Sequence, residues 1–283
     1  MDAVSTPSRR ILIVEDDRAL RHALSSLLTA AGHHIESAGD GPEALALLHN
    51  RPFDIVLLDI GLPTMSGLDV LARVCELATP PRVIMMTADD TSESVLEAVK
   101  RQAYRYVRKP FPPNTIVDVV NEAAAPAAAL SFEVVSARPE WLEFLAPCTI
   151  EMADRIHSFV MHLEAKLPED VREAVAQAFR ELLMNAVEWG GKLDPNRMVR
   201  IACVRTKRML IYRIADPGQG FDIDGLRHAA ISNPEHDPIR HLLVREEQGL
   251  RPGGFGLAMT RSLVDELIYN EARNEVVFIK YLE

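Results

Sequence analysis

The segment Phe53 to Gly67, FDIVLLDIGLPTMSG, constrains the fold more than any other part of the chain. Ile55, Val56, Leu57 and Leu58 form an unbroken apolar run flanked by helical patterns, and such a run reads as a parallel strand buried on both faces. It stops at Asp59, and Gly61 and Pro63 break the chain just beyond. Strand ends at the carboxyl side of an open parallel sheet form its binding crevice, which puts Asp59 at a ligand site. An Asp there also serves as a turn former or helix N-cap, so its neighbours must decide between the two.

The same arrangement recurs on either side. Ile11 to Val14 is apolar and ends at Glu15, Asp16 and Asp17, after which Leu20, Ala23, Leu24, Leu27 and Leu28 repeat at helical spacing. His34 to Ala38 is a weaker strand, followed by a helix over Gly41 to His49. Leu68 to Leu77 is helical, Arg82 to Met86 is a strand ending at Thr87, and Val95 to Val99 lies within a helix. Tyr104 to Val107 is a fifth strand, ending at Lys109 and Pro110. Strands alternating with helices predict an α/β fold with a five-stranded, doubly wound, flavodoxin-like parallel sheet, whose right-handed connections bring the loops after the strands to one edge.

That edge gathers Glu15, Asp16, Asp59, Thr87 and Lys109. Three carboxylates repel one another unless a divalent cation lies among them, and hard oxygen ligands suit Mg2+. A carboxylate beside Mg2+ is a competent nucleophile toward a phosphoryl group. The Thr87 hydroxyl and the Lys109 ammonium would hold the remaining phosphoryl oxygens by positioning and charge neutralisation.

A chain of 283 residues, about half of them apolar, accommodates two domains with ordinary cores. Its net charge of −10 leaves no basic stripe for a phosphate backbone, so direct nucleic-acid binding is not expected. Cys75, Cys148 and Cys203 have neither metal nor disulfide spacing and read as packing residues of a reducing cytoplasm. The polar start and the lack of a long apolar stretch predict no signal core and no membrane association, hence a cytoplasmic protein.

Residues 9–122 resemble a response-regulator receiver domain, motif by motif. The resemblance implies that Glu15 and Asp16 are the acidic metal-binding pair, that Asp59 is the phosphoacceptor and a metal ligand, and that Gly61 lends the metal a backbone carbonyl. It also implies that Thr87 is the switch hydroxyl, Tyr106 the switch aromatic, and Lys109 the lysine that precedes a cis proline, Pro110. The phosphoryl donor would be a separate histidine kinase or phosphotransfer protein, and receivers of this kind often form homodimers through the switch surface. Residues 123–131 read as an alanine-rich linker that Pro126 interrupts.

In the second half, Ser131 to Ser136 reads as a strand, with a turn near Pro139 and a helix over Ile150 to Leu163. A further helix after Pro168 carries Val171, Ala174, Val175, Ala178, Leu182 and Ala186 on one face. Glu181 and Asn185 stand one turn apart on that helix, either on a solvated face or over a shared ligand. Two strands follow, Val199 to Arg205 and Met209 to Ala215, and the second ends in Asp216, Pro217, Gly218, Gln219 and Gly220. A long charged stretch to about Arg251 reads as a lid. Gly253, Gly254 and Gly256 then open an amphipathic helix running to Leu267, where backbone N–H groups could approach phosphates. Val276 to Tyr281 is a last strand. His157 and His162 read as residues of a packing helix, and His236 and His241 as part of the lid.

This order, ExxxN, DxGxG, lid and GGFGL, resembles the GHKL (Bergerat-fold) ATPases across nearly all of residues 132–283, and among them the anti-sigma-factor serine kinases. The resemblance implies a two-layer α/β domain that binds ATP and Mg2+. Glu181 would be general base or water-orienting group, Asn185 a Mg2+ ligand and Asp216 the acceptor for the adenine amino group. Gly218 and Gly220 would shape the loop beside the base, while Gly254 and Gly256 would cradle phosphates. Trp189, where many relatives carry histidine or another small polar-tipped residue, and Asn274, Glu275 and Val276, where they often place threonine near the adenine, depart from the pattern. Together the halves imply a two-component response regulator whose phosphorylation controls a serine/threonine kinase in partner switching, acting on an anti-anti-sigma-like or sigma-like protein. Two alternatives are an ATP-binding domain that sequesters its partner without turnover, and a catalytic domain acting on a histidine of another protein.

Overall fold

In a computed structural model, which describes residues 8–88, 91–125, 131–220 and 256–282, the apolar runs of the first half are all strands. These are β1 (Arg10–Val14), β2 (His34–Ala38), β3 (Ile55–Asp59), β4 (Arg82–Thr87) and β5 (Arg105–Arg108). They form one parallel sheet in the order β2-β1-β3-β4-β5. Helices α1 (Arg18–Ala30), α2 (Gly41–Asn50), α3 (Gly67–Cys75), α4 (Ser92–Lys100) and α5 (Pro113–Ala124) alternate with the strands. Each of the first four starts where a short polar side chain accepts from the first turn: Asp17, Asp40, Ser66 and Thr91. Ile11, Ile13, Ile55, Leu57 and Ile84 are fully buried in one cluster with Leu24 and Leu28 of α1 and Ile116 and Val120 of α5. At about 1.5–3 kcal/mol for each large aliphatic side chain, this cluster is the main force fixing strand order. The parallel sheet predicted from the sequence is the one observed.

The chain divides into two units, residues 1–129 and 130–283. The second contains β6 (Glu133–Arg138), β7 (Trp141–Pro147), α6 (Ile150–Leu163), α7 (Glu169–Asn185), β8 (Met198–Arg205), β9 (Met209–Ala215), α8 (Gly256–Leu263), β10 (Glu266–Tyr269) and β11 (Glu275–Tyr281). Its six strands form an antiparallel sheet in the order β10-β11-β9-β8-β7-β6. One face bears the in-register row Phe144, Ile201, Ile214 and Val276, with Leu142, Cys203, Tyr212 and Phe278 in the next row. The helices pack on that face: Phe179 of α7 lies 5.5 Å from Tyr212, which stacks on Phe278 at 4.7 Å. The result is the expected two-layer α/β arrangement.

Three local features differ from the sequence expectation. Strand β7 occupies a stretch read only as following a turn, because its outward Glu143 is paired with Arg200 at 2.6 Å and so is tolerated at 5% exposure. The helix expected to run to Leu267 ends at Leu263, and Glu266–Tyr269 pairs with β11 instead. The α7 helix widens after Asn185 into a π turn over Ala186–Gly190. None of the described helices is long and apolar enough to cross a membrane.

Candidate functional site

At the carboxyl edge of the parallel sheet, Glu15 follows β1 and Asp59 ends β3; both are buried, while Asp16 is exposed. Ligand oxygens of Glu15, Asp16 and Asp59 all lie within 4.8 Å of one another. Three hard oxygen donors at this spacing, one facing solvent, fit a divalent cation of the Mg2+ class. A Cβ built at Gly61 would stand 3.6 Å from Asp59 Oδ2, so the Gly61 backbone flanks the same carboxylate.

Lys109, just past β5, reaches across the strand ends and donates from Nζ to Glu15 Oε2 at 2.6 Å, with Asp59 Oδ2 at 3.0 Å. Burial raises the Glu15 carboxyl above its ordinary range, and the Lys109 ammonium pulls it back. Thr87, at the end of β4, is 2% exposed, and its carbonyl accepts the Lys109 backbone N–H at 2.7 Å. Tyr106 on β5 is buried, and the Lys109–Pro110 peptide is cis. Arg21, to which the sequence reading gave no role, is placed by the first turn of α1 so that Nη1 donates to the carbonyls of Glu15 and Asp16. Nothing in the local pattern separates it from an ordinary helix-surface arginine.

In the second unit the elements converge differently. Glu181, in the last turns of α7, faces Gly256, the first residue of α8, whose missing Cβ leaves room for Glu181 Oε2. Asn185 closes α7 and is half-buried, one turn beyond Glu181. Asp216 follows β9; its Oδ1 accepts from the Gly218 N–H at 2.7 Å, and the carboxylate fills the space that a side chain at Gly190 would take. Burial raises the Asp216 carboxyl, while the Gly218 N–H and Arg197 act to lower it. Gly220, at φ +81°, lies against the Ala272 carbonyl, where any Cβ would clash.

Gly190 and Arg197, to which the sequence reading gave no role, complete the surroundings of Asp216 together with Asn274, which that reading placed where relatives often carry a threonine. Arg197 donates to the Pro217 carbonyl at 2.6 Å and Asn274 Nδ2 to the Gly218 carbonyl at 3.0 Å. Trp189 is more than half exposed on the π turn. Gly254, Arg251, His236 and His241 lie outside the described residues. His157 packs its ring on Phe179 and sets Nε2 3.1 Å from the Ala176 carbonyl.

With these sites in view, the chain belongs to the response regulators: residues 11–121 match the response regulator receiver domain family. Residues 148–280 match the histidine kinase-like ATPase domain family, so a receiver is fused to a kinase-like ATPase domain. The chemotaxis protein CheY of Thermotoga maritima is 31% identical over 117 residues, 41% of this chain and 98% of that protein. The positive alginate biosynthesis regulatory protein of Pseudomonas aeruginosa is 40% identical over 119 residues, 41% of this chain and 47% of that protein. The DNA-binding transcriptional regulator NtrC of Azospirillum brasilense is 32% identical over 123 residues, 42% of this chain and 26% of that protein. The chain thus spans about half of the alginate regulator and about a quarter of NtrC.

Proposed function

We propose that Asp59 accepts a phosphoryl group from a histidine kinase or a phosphotransfer protein, and that its phosphorylation controls an ATP-dependent protein serine/threonine kinase in residues 132–283. Residues 9–122 act as the receiver and residues 123–131 as the linker. What supports this reading above all is the meeting of Asp59, Glu15, Asp16 and Lys109 in a chain that also carries a kinase-like ATPase domain.

Glu15, Asp16, Asp59 and the Gly61 carbonyl would hold Mg2+, which supplies charge neutralisation to the carboxylates and to the incoming phosphoryl oxygens. Asp59 Oδ attacks phosphorus as the nitrogen–phosphorus bond of the donor breaks, and the nitrogen regains a proton. Lys109 holds one phosphoryl oxygen by charge and Thr87 another through its hydroxyl. The change at Thr87 is passed to Tyr106 and the surface around β4 and β5.

In the second unit, Asn185 offers an amide oxygen to a metal, the backbone N–H groups of Gly254 and Gly256 would cradle phosphates, and Asp216 accepts from the adenine amino group. Glu181 takes the proton of the partner's attacking hydroxyl as that oxygen bonds to the γ-phosphorus, the bond from phosphorus to the β,γ-bridging oxygen breaks, and ADP leaves. The partner would be an anti-anti-sigma-like or sigma-like protein in the cytoplasm. The test is incubation of the full chain with Mg2+ and γ-labelled ATP in the presence of candidate partners. Acid-stable label on the partner supports the serine/threonine kinase; partner control that persists in Glu181→Ala without any transfer replaces it with sequestration.

A further inference from the structure

The loop after β9 is held from two sides by groups far away in the sequence. The Asp216 N–H donates to the Asn274 carbonyl at 2.8 Å, the Pro217 carbonyl accepts from Arg197 Nη2 at 2.6 Å, and the Gly218 carbonyl accepts from Asn274 Nδ2 at 3.0 Å. Asn274 is itself fixed, since its Oδ1 accepts from Asn270 Nδ2 at 2.8 Å within the turn between β10 and β11. Both ends of the Asn274 amide are therefore engaged inside the protein. A side chain so occupied does not reach out to a ligand; it fixes the backbone that carries Asp216.

The consequence falls on one carboxylate. Asp216 Oδ1 accepts from the Gly218 N–H at 2.7 Å, and among the described residues no hydrogen bond engages Oδ2, which can accept from a ligand. We propose that Asn274, assisted by Arg197, is a positioning residue that aims Asp216 and thereby sets the purine preference of this domain for an amino group over a carbonyl. This inference rests on the reading of Asp216 as the base-recognising group. An acceptor-only carboxylate aligned with the exocyclic amine of adenine favours ATP, whereas the carbonyl of guanine in the same place meets a second acceptor. A loop free to tilt would lose both affinity and discrimination.

The test uses the full chain as wild type, Asn274→Ala and Asn274→Thr, the last retaining a donor at the same register. Calorimetry gives affinities for ATP and GTP, and hydrogen exchange of the nucleotide-free protein reads the amides of residues 216–220. The expected result is about a tenfold loss of ATP affinity in Asn274→Ala, the scale of one lost hydrogen bond. The ATP-to-GTP preference falls with it, exchange over residues 216–220 accelerates, and Asn274→Thr recovers most of each effect. Unchanged preference together with unchanged exchange in Asn274→Ala overturns the inference. If the wild type takes up neither nucleotide, the purine reading of Asp216 fails. Exchange then decides the positioning role alone: acceleration in Asn274→Ala upholds it and no change overturns it.

Discussion

Gly256 opens α8 directly against the carboxylate of Glu181 on α7, so closely that a Cβ at position 256 would overlap Glu181 Oε2. Two motifs separated by about half of the second unit therefore share one wall of one site. The atom in the way is the far end of a flexible side chain, so a substitution there displaces the carboxylate rather than the fold. Gly256→Ala is expected to keep the melting temperature within about 4 °C of wild type, a change below about 1 kcal/mol. ATP turnover should fall by about a hundredfold, as when one positioned group is lost. Thermal unfolding and steady-state ATPase assays on the same preparation check the pair.

Gly190→Ala makes the opposite case. Its Cβ would meet Asp216 at the carboxylate and at Cβ, and a side chain that short has nowhere to go. The expected cost is about 1–3 kcal/mol of stability from overpacking, together with loss of ATP binding. Urea unfolding and calorimetry read the two effects, and full ATP affinity in a destabilised variant would separate Asp216 from nucleotide recognition.

In the receiver, Lys109 spans Glu15 and Asp59 at 2.6 and 3.0 Å. Removing the ammonium leaves two buried carboxylates without their cation and the incoming phosphoryl group without a partner. Lys109→Ala is expected to slow phosphorylation of Asp59 from a small phosphodonor by about a hundredfold or more, and Asp59→Asn to abolish it. Phosphate-affinity electrophoresis over time gives both rates.

A pH effect follows from Arg213 and Glu275, which form a double hydrogen bond at 2.7 Å on both arms between β9 and β11. The hydrogen bond from Arg213 holds the Glu275 carboxyl below its ordinary value of 4.5. A depressed folded-state value means stability that is present above pH 4.5 and is lost as pH falls through the folded value. The pair is partly exposed, so the contribution is under about 1 kcal/mol. Arg213→Ala should flatten the acid limb of the stability profile below pH 4.5 and leave the slope above it unchanged. Urea midpoints between pH 3 and pH 7 measure this.

The sequence discloses this molecule unevenly, for physical reasons. Strands β1, β3 and β4 were legible because both faces are buried, which demands continuous apolar runs, and because each run ends in a polar residue that no core would accept. The acidic corner and Lys109 were legible as chemistry, since each stands at a strand end. Strand β7 was hidden by Glu143, whose burial is offset by its ion pair with Arg200 on β8. Strand β10 was hidden because apolar residues at helical spacing continue past Leu263, and only its pairing with β11 makes it extended. Gly190 acts through the side chain of Asp216, Arg197 and Asn274 through distant backbone carbonyls, and Arg21 through carbonyls five and six residues away. No local pattern marks a donor whose acceptor is 20 or 56 residues off.

The central claim is that the receiver controls the ATPase domain, and one measurement tests it most directly. ATP turnover and transfer to protein are measured on the full chain with Asp59 unmodified and with Asp59 phosphorylated, and Asp59→Asn is carried through both treatments. The account predicts a change of about 5- to 150-fold on phosphorylation, the range of ordinary coupling between sites, and none in Asp59→Asn. Equal turnover by the phosphorylated and unmodified proteins, with ATP bound in both, would contradict it.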